Sequence, residues 1–104
     1  DYPVGLILAD EVALAGGRAY YNGNYSPNSN YYLYNEKNYW TFSPAYFISS
    51  SSNAYVWIVL ASGSLNPWTD VEYSRGVRPV INIKQDVTIS KGDGTALNPF
   101  VIAK

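Results

Sequence analysis

The sequence predicts an α+β domain that is mostly β-sheet, with one short helix, long loops and a C-terminal β-hairpin. Three observations carry that expectation. Short runs rich in β-branched and aromatic residues, at 4–8, 54–61 and 76–83, are separated by clusters of glycine, proline, asparagine and serine. A single segment, Ala9-Asp10-Glu11-Val12-Ala13-Leu14-Ala15, joins helix formers to two acids in its first turn, where the helix dipole favours them. Of the 104 residues, 47% are hydrophobic and 14% charged, which supports one buried core and argues against disorder.

Val4-Gly5-Leu6-Ile7-Leu8 reads as a buried first strand, followed by the helix, which Gly16-Gly17 stops. Residues 18–39 differ in kind. They hold seven tyrosines and six asparagines, almost no aliphatic side chains, and the turn signals Asn22-Gly23 and Ser26-Pro27. They read as a long loop whose rings fold back over the core, and ligand contact by the same loop is compatible with that. Pro44 is expected to end the regular structure around Trp40-Thr41-Phe42-Ser43, and 48–53 to form a polar tip. Residues 54–61 make the best strand of the chain.

Ser62-Gly63-Ser64 gives a tight turn, Leu65 resumes a strand, and Asn66-Pro67-Trp68-Thr69-Asp70 reads as a loop or bulge. Residues 71–75 alternate weakly. Residues 76–83 form a second buried strand, with Pro79 placing part of it at an edge or bulge. The runs 87–90 and 98–102 flank Lys91-Gly92-Asp93-Gly94-Thr95 as a hairpin. The expected core is Trp40, Phe42, Phe47, Val56, Val59, Val77, Val80 and Ile81. Arg78, inside an apolar strand, needs carbonyls or a carboxylate for its guanidinium. The organisation is one domain over 1–104, a core module at 4–83 and an appended hairpin at 84–104.

The absence of histidine and cysteine closes most routes to nucleophilic, acid–base and transition-metal chemistry. It also rules out a disulfide-stapled scaffold. Eleven tyrosines and three tryptophans exceed what a core this size hides. Beside abundant serine and asparagine they form the palette of antibody-like contact surfaces. The expectation is a recognition module, no enzyme and no cofactor. A net charge of −1 without basic runs argues against a nucleic-acid partner. The longest apolar stretches, 4–9 and 54–61, are too short to span a bilayer. No leader is visible, and the opening Asp1 points to a trimmed or processed domain whose anchor lies elsewhere.

Trp40-Thr41-Phe42-Ser43-Pro44, Asn53-Ala54-Tyr55-Val56, Ser62-Gly63-Ser64-Leu65 and Gly76-Val77-Arg78-Pro79-Val80, in that order, resemble a C-type-lectin-like fold. Within it they are similar to the branch shared by formylglycine-generating-enzyme-like domains, phage tropism determinants and the variable proteins of diversity-generating retroelements. The flanking Leu6-Ile7-Leu8-Ala9-Asp10-Glu11-Val12, Gly92-Asp93-Gly94-Thr95 and Asn98-Pro99-Phe100 resemble bacterial surface and pilin-like proteins that carry this module. The resemblance spans 4–83. Its catalytic members need cysteines or a histidine iron site, which this chain lacks, so it implies the fold without the catalysis. Calcium-dependent lectins use several oxygen ligands, and Asn66-Pro67-Trp68-Thr69-Asp70 offers one carboxylate, a poor fit for calcium.

The resemblance implies a ligand face within 55–75, with Trp57, Ser64, Asn66, Trp68, Asp70, Glu72, Tyr73 and Arg75 pointing outward. Trp57 also fits ordinary sheet packing. Trp68, in a proline-containing polar loop, fits exposure and a hot-spot role. Asp70, Glu72 and Arg75 are read as solvated surface charge more readily than as a constellation, and Asp10 and Glu11 as helix-start acids. The expected function is an adhesin or receptor-binding domain on a cell or virion surface, gripping a protein on another cell or particle. A glycan partner is the alternative, since stacked rings serve sugars equally well. A structural subunit or spacer of a surface filament is the rival from another class.

Overall fold

A computed structural model describes residues 4–19, 27–95 and 97–103 of the chain. Its centre is a four-stranded sheet of β2 (Arg18–Ala19), β3 (Tyr39–Ile48), β4 (Asn53–Val59) and β5 (Ser64–Asp70) in the order β2-β5-β4-β3. β3, β4 and β5 form an antiparallel meander, and β2 adds in parallel to β5. Two ribbons flank it: β1 (Val4–Leu6) with β6 (Pro79–Ile81), and β7 (Ile89–Lys91) with β8 (Val101–Ile102), both antiparallel. The class is therefore β-rich with one short helix, α1 (Ala9–Leu14), as the sequence predicts.

The helix begins where Glu11 Oε2 accepts the Leu8 N–H at 2.8 Å, so one of the two acids satisfies a donor that a helix start leaves open. It ends at Gly16, whose φ of +116° favours glycine. Val12 and Ala9 face inward, while Leu14 faces water. The register sets Tyr39 opposite Val59 and Val59 opposite Leu65, so these three share one face of the sheet. Ile7, Ala9 and Val12 cover them from the chain start, and Tyr31 and Leu33 from the loop. Each buried Val, Leu or Ile stabilises by about 1.5–3 kcal/mol.

The tyrosine-rich loop is fastened through its hydroxyls. Tyr31 donates to the Gly63 carbonyl at 2.8 Å and Tyr39 to the Leu33 carbonyl at 3.0 Å. Asn28 Nδ2 donates to the Gly16 carbonyl at 2.6 Å. The same Leu33 carbonyl receives Arg78 Nη1, whose guanidinium lies 5.5 Å from the Tyr39 ring centroid. Arg78 thus meets a carbonyl, as the sequence predicts, although the run around it is exposed. Burial raises the pKa of Tyr39, and Arg78 pulls in the opposite direction. Rings folded back over the core describe Tyr31 and Tyr39, whereas Tyr32 stays exposed. Asn22-Gly23 and Ser26, with Tyr20, Tyr21 and Tyr25, lie outside the described residues.

Several expectations are corrected. Of the expected core, Val59 alone belongs to the buried cluster. Trp40 and Val56 are half-buried, and Phe42, Phe47, Val77, Val80 and Ile81 are exposed. The reason is coverage: a six-residue helix shields one end of one sheet face, and β6 joins a two-stranded ribbon, not the central sheet. The strands at 4–8 and 76–83 are accordingly exposed and not buried; Ile7, just past β1, is the residue that reaches the core. Pro44 does not end β3. It sits opposite Val56 between two register shifts on a strand at the sheet margin, where its missing N–H is tolerated.

Candidate functional site

The turn at 49–52 pairs Ile48 with Asn53, Phe47 with Ala54 and Tyr46 with Tyr55. Directly opposed residues on one sheet face touch. Tyr46 and Tyr55 accordingly stack, with centroids 4.6 Å apart and planes 19° apart.

The third ring arrives through a bulge. β5 pairs Thr69 with Val56 and Asn66 with Ile58, so it holds one more residue than β4 over that interval. Asn66 Oδ1 accepts the Trp68 N–H at 2.7 Å and fixes the kink. Trp68 then meets Tyr46 edge-on, at 5.2 Å and 73°. The contact fixes the indole, yet 59% of Trp68 remains exposed. Such ring pairs contribute about 0.5–1.5 kcal/mol beyond their area. The Tyr46 hydroxyl is shielded from solvent and lacks a hydrogen-bond partner among the described residues. Burial first, and Tyr55 second, push its pKa up.

The remaining expected site residues divide. Glu72 and Tyr73 are exposed, as expected. Arg75 is half-buried, with its guanidinium 5.3 Å from the Tyr73 centroid and Nη1 donating to the Ser74 carbonyl at 2.8 Å. Asn66 is half-buried and its side-chain oxygen is engaged by backbone. Trp57 is half-buried and packs against the core cluster. It also walls a cleft with Ala9, Asp10, Ala13, Ser43 and Pro44.

Ser64 and Asp70 do not point outward. Ser64 is fully buried on β5, the strand between β2 and β4, and its hydroxyl accepts from that of Ser62 at 3.3 Å. Asp70 is buried at the end of β5, opposite Tyr55. Its carboxylate accepts Asn53 Nδ2 and, at 3.4 Å, the Glu72 N–H. It is a fastener of the strand end and the following turn, not a surface charge.

Tyr46 and Tyr55 are the site residues that sequence reasoning missed. The signal was present: symmetry about the serine turn pairs 46 with 55 once the residues between Pro44 and the turn are read as a strand. Among the described residues no group of three or more His, Cys, Asp or Glu side chains could hold a metal. What the arrangement offers is a fixed aromatic surface flanked by amides and hydroxyls. Compared with protein-family models, curated proteins and solved structures, the chain matches none.

Proposed function

We propose that this domain is a non-catalytic recognition module that grips a protein partner through the platform of Trp68, Tyr46 and Tyr55. The observation that carries the reading is the exposed indole of Trp68, held by the Asn66 bulge against a ring that is itself stacked. Ordered rings lose little freedom on binding, so their contact area converts efficiently into affinity. Trp and Tyr are also the residue types that dominate interface energetics. A cell-surface or virion-surface setting, as adhesin or receptor-binding domain, is part of this reading. So is a C-type-lectin-like scaffold over 4–83. Its support is the pairing of β1 with β6, which closes that span on itself with the helix and long loop inside it.

The experiment is a titration of labelled domain onto intact cells or particles, pretreated with protease or with periodate. Saturable binding that protease abolishes, and that Trp68→Ala weakens by about 30-fold or more, supports the reading. Asn66→Ala should weaken it less and lower the fluorescence anisotropy of Trp68. Full binding by Trp68→Ala refutes the platform. Loss on periodate and not on protease moves the partner to glycans.

A further inference from the structure

The cleft walled by Trp57 lies between α1 and the central sheet and has a volume of about 390 Å³. That falls within the roughly 300–1,000 Å³ span of small-ligand sites. Trp57 and Leu65 from the sheet, with Ala9 and Ala13 from the helix, supply its apolar wall. Two polar side chains join them, Asp10 and Ser43. Among the described residues no lysine or arginine lines it.

The polar groups of the cleft differ in what they have left to offer. Ser43 Oγ accepts the Ala9 N–H at 2.9 Å, which leaves it a second lone pair. Glu11, next to Asp10, is committed to the Leu8 N–H. The exposed Asp10 carboxylate makes no hydrogen bond or ion pair among the described residues. A carboxylate beside an indole and an aliphatic wall matches one chemistry, a long apolar stem that ends in a cation. Lysine and arginine lay their stems along apolar surface while the head keeps polar company, and a cation is drawn to the face of tryptophan. A sugar ring also stacks on tryptophan, but its several hydroxyls need more partners than one carboxylate and one serine lone pair.

The cleft also adjoins the aromatic platform. Between Tyr55 and Val59 the extra residues of the register belong to β3 and β5, so β4 alternates evenly. Tyr55 and Trp57 therefore project from the same face, about 7 Å apart along the strand. A surface that covers Tyr55 can send a side chain into the cleft without leaving the platform.

We propose that the Trp57 cleft receives a lysine or arginine side chain of the protein partner. The stem lies along Trp57, Ala9 and Ala13, the charged head pairs with the Asp10 carboxylate, and Ser43 Oγ accepts a second N–H. It rests on the reading of the platform as a protein-binding face, and gives that partner a basic residue beside the surface that covers Tyr55.

The test titrates the full chain with Nα-acetyl-lysine methylamide, its arginine and norleucine counterparts, and methyl glucoside, each to roughly 50 mM. Heteronuclear NMR follows the Trp57 indole N–H. Saturable shifts with the lysine or arginine probe are expected, and binding of the uncharged norleucine probe at least about 5-fold weaker. Asp10→Asn should weaken the cationic probes by about 3-fold or more. Ala13→Leu, which fills the cleft and keeps a helix former, should abolish their binding. Unchanged resonances in β3 and β5 show that each variant stays folded. On intact cells or particles Asp10→Asn should weaken binding by the same factor. Trp68→Ala should leave the probe shifts in place, so if that variant still binds cells fully, the platform falls and the cleft stands. No saturable shift, equal binding of the norleucine probe, undiminished binding by folded Asp10→Asn and Ala13→Leu, or a preference for the glucoside overturns the proposal.

Discussion

Gly63→Ala is the substitution that most directly tests how the tyrosine-rich loop is held. Gly63 has a φ of +82°, where an L-residue costs about 1–2 kcal/mol. The larger effect is steric. A Cβ added there would lie 1.8 Å from the Asn28 carbonyl oxygen and 3.2 Å from the Tyr34 ring. The first neighbour is backbone and cannot swing aside, so the 27–34 segment must lift. Lifting it breaks the 2.8 Å bond from the Tyr31 hydroxyl to the Gly63 carbonyl, and an unsatisfied buried group costs about 1–3 kcal/mol. The sum is about 2–5 kcal/mol, a large fraction of the roughly 5–15 kcal/mol that stabilises a small domain. Urea denaturation followed by tryptophan fluorescence measures it, with Tyr31→Phe as comparator. Tyr31→Phe removes the hydroxyl alone, without the strain or the steric clash, and should cost about 1–3 kcal/mol. If Gly63→Ala costs no more than Tyr31→Phe, the loop does not pack against the 60–64 turn as described.

Two further expectations concern the same hub. The Tyr31 hydroxyl is pushed up to about 12 from its ordinary 10.0, by burial first and by the neighbouring Tyr39 second. The folded state therefore holds that proton more tightly than the unfolded chain does. Its contribution is fully present below pH about 10 and is lost as pH rises through 10 to 12. Screening of this partly shielded ring limits the loss to roughly 1–2 kcal/mol. Urea midpoints between pH 8 and 11.5 (roughly the span that brackets the shift) should fall for the natural sequence and fall less for Tyr31→Phe; equal slopes would contradict it. Arg78→Ala removes the charged donor to the Leu33 carbonyl and the cation beside Tyr39, and should cost about 1.5–3 kcal/mol. Thermal unfolding of Arg78→Lys, which keeps the charge, should fall between the two.

The legible part of this protein was local. Asp10 and Glu11 ahead of Val12, with Gly16 behind, marked the helix to within a residue, because capping and dipole effects act within one turn. Gly92-Asp93-Gly94 marked the hairpin, and Ser62-Gly63-Ser64 the turn, because a positive φ needs glycine wherever the rest of the chain goes. Arg78 announced its need for a carbonyl, and Trp68 its exposure, for equally local reasons. Phe42 and Phe47 misled, since hydrophobicity states what a residue would gain from burial and not whether anything is there to cover it. Pro44 misled because its meaning depends on whether its strand lies at the sheet margin.

Composition and short-range pattern thus determined a β-rich chain with one helix, its turns, and a side-chain inventory without imidazole or thiol. The tertiary structure decided which side chains are inside. A six-residue helix covers Tyr39, Val59 and Leu65 and leaves Tyr46, Tyr55 and Trp68 beyond its reach. It also decided that Ser64 and Asp70 serve the interior, Asp70 through its clasp with Asn53 at the end of β5. Burial is set by neighbours distant in sequence, and one chain read residue by residue carries no record of who those neighbours are.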